Sequence, residues 1–192
     1  MRELLQGGFR MTAQTLHGLE PVLMDEIQDL GGRDIKRHKR AVSFMGDLGT
    51  MYKMNLNLRT ALRILVPFHS FNARNSDDLY HRARKYPWEN VIPLEGTFSL
   101  GIKVNSQFFD HSQYAMQRVK DGIVDRFRHK SGKRPSVDKD APDVRIHIYI
   151  NKNEVLLSLD SSGESLHKRG YRSLMNRAPI NEALAAGMVL LM

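Results

Sequence analysis

Cysteine is absent from the 192 residues. That one lack removes disulfide staples, thiolate metal sites and cysteine nucleophiles together, and it fits a reducing compartment. Long apolar runs are missing as well: no stretch approaches the roughly 18 residues that a membrane-spanning helix needs. The first ten residues hold neither a long apolar core nor a small-residue cleavage site, so they do not read as a secretory signal. The expectation is a cytoplasmic protein with no membrane partner. Prolines number seven, and no two are adjacent. The Gly-x-Gly-x-x-Gly fingerprint, the Walker phosphate loop and the Gly-x-Ser-x-Gly elbow are all missing. Eight histidines, at 17, 38, 69, 81, 111, 129, 147 and 167, show no close metal-ligand spacing, so no metal is expected. The acid pairs Asp77-Asp78 and Asp138/Asp140 fall in cap or loop contexts, where capping and solvation account for them. Nothing assembles a nucleophile, a base and an oxyanion donor, and no catalytic residue is expected in this chain.

What the sequence does have is positive charge. Lys and Arg number 29 against 21 Asp and Glu, a net charge of +8. A basic balance favours a phosphate-bearing partner, because each contact to a nucleic-acid backbone releases condensed counterions. The charge gathers in three runs. Residues 33–40 hold Arg33, Lys36, Arg37, Lys39 and Arg40 against Asp34. Residues 118–134 hold Arg118, Lys120, Arg126, Arg128, Lys130, Lys133 and Arg134 against Asp121 and Asp125. Residues 168–177 add Lys168, Arg169, Arg172 and Arg177 with no acid, and Tyr171 lies among them as a ring able to stack on a base or cover a sheet edge. Each run also fits a solvated helix or strand face, and together they make one footprint only if the fold joins them.

Periodicity places these runs on elements. Residues 9–16 have strand character. Leu19, Val22, Leu23, Ile27 and Leu30 fall on one face of a helix that Gly31-Gly32 ends. Residues 35–45 read as one further strand, with Ala41, Val42 and Phe44 its apolar part. Asp47 caps a helix running through Met51, Met54, Leu58 and Leu62, and residues 64–71 form another strand. Strand, helix, strand, helix, strand is a small α+β unit of ferredoxin-like character. Next, Ser76-Asp77-Asp78 caps a short helix ending before Pro87-Trp88. Phe98, Leu100, Ile102 and Val104 alternate as a half-buried strand. Ala115, Val119, Ile123 and Phe127 make an i+4 ridge on a helix closed by Gly132 and Pro135; its C-terminal cations Arg126, Arg128 and Lys130 suit the helix dipole. Val144 to Ile150 and Val155 to Leu159 alternate around an Asn151-Lys152-Asn153 turn, a β-hairpin. A last apolar helix, residues 180–192, is introduced by Ala178-Pro179. Its uncovered surface implies a junction with missing sequence or a dimer contact.

Several of these segments together resemble the THUMP branch of RNA-modifying enzymes, and most of all its large-subunit ribosomal RNA guanine-N2 methyltransferases. Residues 15–23 look like "T-x-x-G-L-E-x-x-L", the end of that family's opening strand and its first helix. Trp88, after Tyr86-Pro87, looks like the tryptophan before the THUMP strand. Residues 98–106 and the helix after His111 resemble the THUMP core. Residues 166–172 resemble the closing "L-x-x-R-G-Y-R", and residues 178–188, beginning Ala-Pro-Ile-Asn-Glu, resemble the helix leading to the methyltransferase domain. The likeness runs from Phe9 to Met192. One departure stands out: with no adjacent prolines, the family's Asn/Asp-Pro-Pro-Tyr motif is missing.

The resemblance implies a ferredoxin-like domain at 9–75, a THUMP RNA-binding domain at 76–172 and a linker helix at 173–192 toward a methyltransferase domain not in this chain. It implies no cofactor here and S-adenosylmethionine in that other domain. The partner implied is structured RNA, 23S rRNA first. RNA-binding residues are expected at Lys36, Arg37, Lys39, Arg40, Arg118, Arg126, Arg128, Lys130, Lys133, Arg134, Lys168, Arg169, Tyr171 and Arg172. Three other readings stand beside this one: a stand-alone ribosome-assembly module, a THUMP front end for transfer RNA modification, and a ferredoxin-like protein that only dimerises.

Overall fold

The computed structural model describes residues 7–170 and 179–192. Its elements run β1 (Phe9–Thr15), α1 (Glu20–Asp29), β2 (Arg33–His38), β3 (Ala41–Gly46), α2 (Leu48–Asn57), β4 (Ala61–Asn72), α3 (Ser76–Lys85), β5 (Thr97–Asn105), α4 (Ser112–Ser131), β6 (Ser136–Val137), β7 (Val144–Asn151), β8 (Glu154–Asp160) and α5 (Glu182–Leu190), with a 3-10 turn at Trp88–Asn90. Contacts divide the chain into two compact units. The first takes in the chain up to Val66 and again from Asp160; the second is Pro67–Leu159.

The first unit has the β-α-β-β-α-β order of a ferredoxin-like fold, with antiparallel strands in the order β2-β3-β1-β4. Met11, Leu23, Ile27, Phe44, Met54 and Ile64 are buried between sheet and helices. Each such side chain contributes about 1.5–3 kcal/mol relative to exposure.

The segment expected as one strand over 35–45 is two strands. It doubles back at Lys39-Arg40, pairing His38 with Ala41. Arg40 takes a left-handed backbone, φ 61°. No glycine or asparagine marks the bend, and its hold comes from elsewhere: the Arg40 N–H donates to Glu20 Oε1 at 2.8 Å, and the Thr15 N–H to Arg40 O at 3.0 Å. The helix expected to run through Leu62 stops at Asn57, with Leu58 already extended. The backbone N–H groups of Arg59 and Thr60, which a continuing helix would use, donate instead to Glu26 at 3.1 Å each.

After β8 the chain runs back along β4. The Ser161 N–H donates to Ile64 O at 3.0 Å, the Leu166 N–H to Leu62 O at 2.8 Å, and Arg63 pairs with Asp160. The last helix starts at Glu182, later than expected, because the Asn181 side chain accepts the N–H groups of Ala183 and Leu184. It lies against the first unit through a buried Ala183 and through Gly187, where a Cβ would come within 2.5 Å of Leu19 Cδ2. Leu184, Met188 and Leu191 remain exposed.

In the second unit the strand order is β8-β7-β5-β6, with β5 parallel to β6 and β7 and with β7 antiparallel to β8. Val144, Ile146, Ile148 and Ile150 are buried, as their alternation predicts, and so is the α4 ridge of Ala115, Val119, Ile123 and Phe127. The short β6 was not expected. Asn75, one residue before the expected cap, accepts the Asp78 N–H at 2.8 Å and starts α3. Helices α3 and α4 touch backbone to backbone at Gly122, where a Cβ would lie 2.8 Å from Tyr80 O. Trp88 is fully buried, and its indole N–H donates to Ala83 O at 2.7 Å.

Candidate nucleic-acid interface

In the first unit, the sheet register brings three connections to one end. β1 ends at Thr15, β3 begins opposite it at Ala41, and β4 begins beside it at Ala61. The β2–β3 turn, the β1–α1 loop and the α2–β4 crossing are therefore neighbours. They carry Arg37, Lys39 and Arg40, then His17, then Arg59. Arg169 joins them from the third basic run, because its guanidinium donates to Leu58 O at 3.0 Å. Lys168 is next to it and exposed. Four strands at about 4.8 Å spacing make this rim about 15 Å across.

Two buried carboxylates on α1 hold the rim in shape. Glu20 accepts the N–H groups of Arg40 and Gly18 at 2.8 Å each, with the Arg37 guanidinium 3.7 Å away. The Arg40 N–H foremost, with help from Gly18 and Arg37 and against the effect of burial, holds its carboxyl at about 2. Glu26 takes the Arg59 and Thr60 N–H groups and also the Arg59 guanidinium at 3.0 Å. Both carboxylates face inward and satisfy backbone, while the cations they anchor face water: the side chains of Arg37 and Arg59 are 57% and 62% exposed. Lys36, on the same hairpin, sits 3.5 Å from Asp34.

The middle run has a different setting. Arg118 pairs with Asp77 at 2.9 Å and lies over the Tyr80 ring, 4.6 Å from its centre. Arg126 grips Glu89 with two bonds, at 2.8 and 2.7 Å, and donates to Lys85 O. Lys130 reaches the same carboxylate at 2.6 Å. Arg126 first, then Lys130, holds the Glu89 carboxyl far below the usual carboxylate range. Arg128 stands 3.7 Å from Asp125 and Lys133 3.1 Å from Glu95, both on exposed side chains. Arg134 is exposed. Tyr171 and Arg172 lie outside the described residues. Within its own unit, each run is thus placed: 33–40 and 168–169 come together, and the run from Arg118 lies along α4, with Lys133 and Arg134 just past its end.

Sequence reading missed Arg59 and His17. Each is an isolated polar side chain in the sequence, and only the crossing of three loops brings them to the rim. Among the described residues no three His, Asp or Glu side chains stand close enough to hold a metal ion. Among them, too, no helix is long and apolar enough to cross a membrane.

Residues 10–65 match the profile of the RlmL ferredoxin-like domain, and residues 73–160 match that of the THUMP domain. The chain belongs to the THUMP proteins that carry an RlmL ferredoxin-like domain. Its ferredoxin-like and THUMP units are similar to Ribosomal RNA large subunit methyltransferase K/L of Syntrophotalea carbinolica, 40% identical over 173 residues, 90% of this chain and 24% of that protein. The protein of the same name from Desulfotalea psychrophila is 42% identical over 175 residues, 91% of this chain and 24% of its own length. The chain thus spans about a quarter of these relatives. A crystal structure of a predicted N6-adenine-specific DNA methylase from Listeria monocytogenes superposes with a TM-score of 0.83 at 32% identity, covering 100% of this chain and 50% of that one.

Proposed function

We propose that this chain is the RNA-capturing region of a longer S-adenosylmethionine-dependent ribosomal RNA (guanine-N2) methyltransferase, with 23S rRNA as substrate. The observation that carries the reading is the basic rim, where two separate runs of the sequence meet on the ferredoxin-like unit. The likeness to the K/L methyltransferases supplies the reaction class. S-adenosylmethionine, the cofactor that this reaction class implies, would supply the methyl group for the exocyclic amine of a guanine. The role proposed for the residues of this chain is to bind and orient the RNA.

Lys36, Arg37, Lys39, Arg40, Lys168 and Arg169 are the proposed phosphate contacts on the ferredoxin-like unit, with Tyr171 and Arg172 continuing the same run. Arg128, Lys130, Lys133 and Arg134 are those on the THUMP unit. Arg118 and Arg126 we assign to holding α4 in place. Recognition is by backbone charge and helical shape, since side chains do not read the deep, narrow major groove of an A-form duplex. A second reading follows the Listeria protein, a predicted N6-adenine-specific DNA methylase; B-form DNA is then the partner.

The experiment is a salt titration of the chain against a 23S rRNA fragment, a transfer RNA and a DNA duplex. The reading expects the ribosomal fragment to bind tightest, with affinity falling on a log–log plot by about 0.7–0.9 per neutralised phosphate. Reversing Lys39 and Lys168, both exposed and neither in an ion pair with another described residue, to Glu should weaken that binding at least tenfold and leave the melting temperature unchanged. Equal affinity for all three polymers, or the tightest binding to DNA, overturns it.

A further inference from the structure

The THUMP unit holds a cleft outside the basic runs, at the loop between β5 and α4. Arg74, Asn105, Phe108, Lys152 and Asn153 line it, with a volume of about 760 Å³. That lies within the roughly 300–1,000 Å³ typical of sites for one small ligand and is far too small for a duplex.

Its frame is tied together by backbone. The Lys152 N–H donates to Asn105 O at 2.8 Å, the Ser106 hydroxyl bonds Lys152 O, and the Phe108 N–H donates to Ser106 Oγ at 3.0 Å. The Ala73 N–H donates to Asn153 O at 2.8 Å. The loop after β5 and the residue before Arg74 are thereby both fastened to the β7–β8 turn. Two adjacent phenylalanines then behave differently. Phe109 is buried and anchors the loop, while Phe108 is 40% exposed and shows its ring at the cleft.

Charge and backbone point the same way. Arg74 and Lys152 are both exposed, and neither enters an ion pair with another described residue. None of the residues lining the cleft is acidic. Lys152 holds a left-handed backbone, φ 53°, at a cost of about 1–2 kcal/mol that a glycine would avoid. Cost retained at a turn that presents a cation is a pointer to function.

We infer that this cleft takes one unpaired nucleotide of the bound RNA. The base stacks on Phe108, Arg74 and Lys152 flank its phosphates, and the amides of Asn105 and Asn153 meet the base edge or the ribose hydroxyl. A base inside a duplex has both faces covered by its neighbours, so an exposed ring can take only one that has left the stack. The inference rests on the RNA-binding reading and sharpens it: the rim and α4 grip paired RNA, and this cleft senses where pairing stops.

The test uses the chain with three RNAs of one sequence: a fully paired blunt duplex, the same duplex with a one-nucleotide bulge, and the same duplex with a short unpaired end. 2-Aminopurine at the unpaired position reports stacking. At least one unpaired form should bind about tenfold more tightly than the blunt duplex, with quenched 2-aminopurine, and the bulge and end arms tell which source fits. Phe108→Ala should erase that gain and leave blunt-duplex binding and the melting curve unchanged, and Phe108→Trp should keep the gain. A blunt duplex that binds as tightly as both others overturns the cleft and leaves the RNA-binding reading standing. So does a gain that survives Phe108→Ala. Failure of all three RNAs to bind at low salt overturns both.

Discussion

Helix α4 and the β2–β3 hairpin are about equally basic in sequence, yet their charges have opposite surroundings. On α4 two arginines turn inward: the side chains of Arg118 and Arg126 are each only 23% exposed, and acids from α3 and the 3-10 turn meet them. On the hairpin the arrangement is reversed. There the acid is buried, Glu20 at 1% exposure, and bonds backbone, so the guanidinium and ammonium groups stay in water. A cation that is itself largely buried where it meets a carboxylate stabilises the fold. A cation whose nearby acid is already satisfied by backbone N–H groups remains available to a phosphate. Charge density alone does not separate the two.

The sharpest way to break this comparison is Arg126→Ala. The substitution strands Glu89 without its two-pronged partner at a half-buried site, and about 2–3 kcal/mol of stability should be lost. Affinity for RNA per folded molecule should hardly change. Chemical denaturation and a binding isotherm check it together. If the melting curve stays put and RNA affinity falls instead, α4 belongs with the hairpin and the contrast collapses.

A smaller effect is expected at the other region. Glu20→Gln keeps the size of the side chain but faces one of two donated N–H groups with its own NH₂, and about 1–2 kcal/mol should be lost at neutral pH. The pH dependence adds a signature. The Arg40 N–H and its companions depress the Glu20 carboxyl from 4.5 to about 2 in the folded chain. Its contribution to stability is therefore fully present above about pH 4.5 and is lost as pH falls toward 2. Urea melts between pH 6 and 2.5 should show that decline in the parent chain and a shallower one in the variant. Equal slopes would detach the hairpin from Glu20.

How far the sequence carried depends on whether cause and effect are close along the chain. The α4 ridge and the β7–β8 hairpin were legible because each pattern is written within one element, and the Asn-Lys-Asn turn carries its own signal. The β2–β3 hairpin was not. Its bend at Lys39-Arg40 has no turn residue, and the group that holds it, Glu20, lies twenty positions earlier. Likewise the end of α2 is set by Glu26, not by anything near Leu58. The basic runs could be seen, but their partners could not: Asp77 and Glu89 lie 41 and 37 residues from the arginines they meet. The cleft at Phe108 was invisible for a related reason. Residues 74, 105–108 and 152–153 come together only through the β5–β7 register and the bond from Ala73 to Asn153.

The smallest effect makes the finest cut. Lys39→Ala on the hairpin and Lys133→Ala at the end of α4 remove one exposed ammonium each. Lys133 faces Glu95 at 3.1 Å, but both side chains are largely solvated, 68% and 79% exposed, so screening leaves the pair worth little. Stability should move by no more than about 0.5 kcal/mol in either variant. If both lysines touch phosphate, each variant should lower the salt slope of RNA binding by about 1 and weaken all sequences alike. The comparison then gains a boundary along the 118–134 run, between Arg118 and Arg126, which turn inward and hold helices together, and Lys133, which lies just past the end of α4 and grips RNA. A slope that drops for Lys39→Ala and not for Lys133→Ala would take Lys133 out of the footprint.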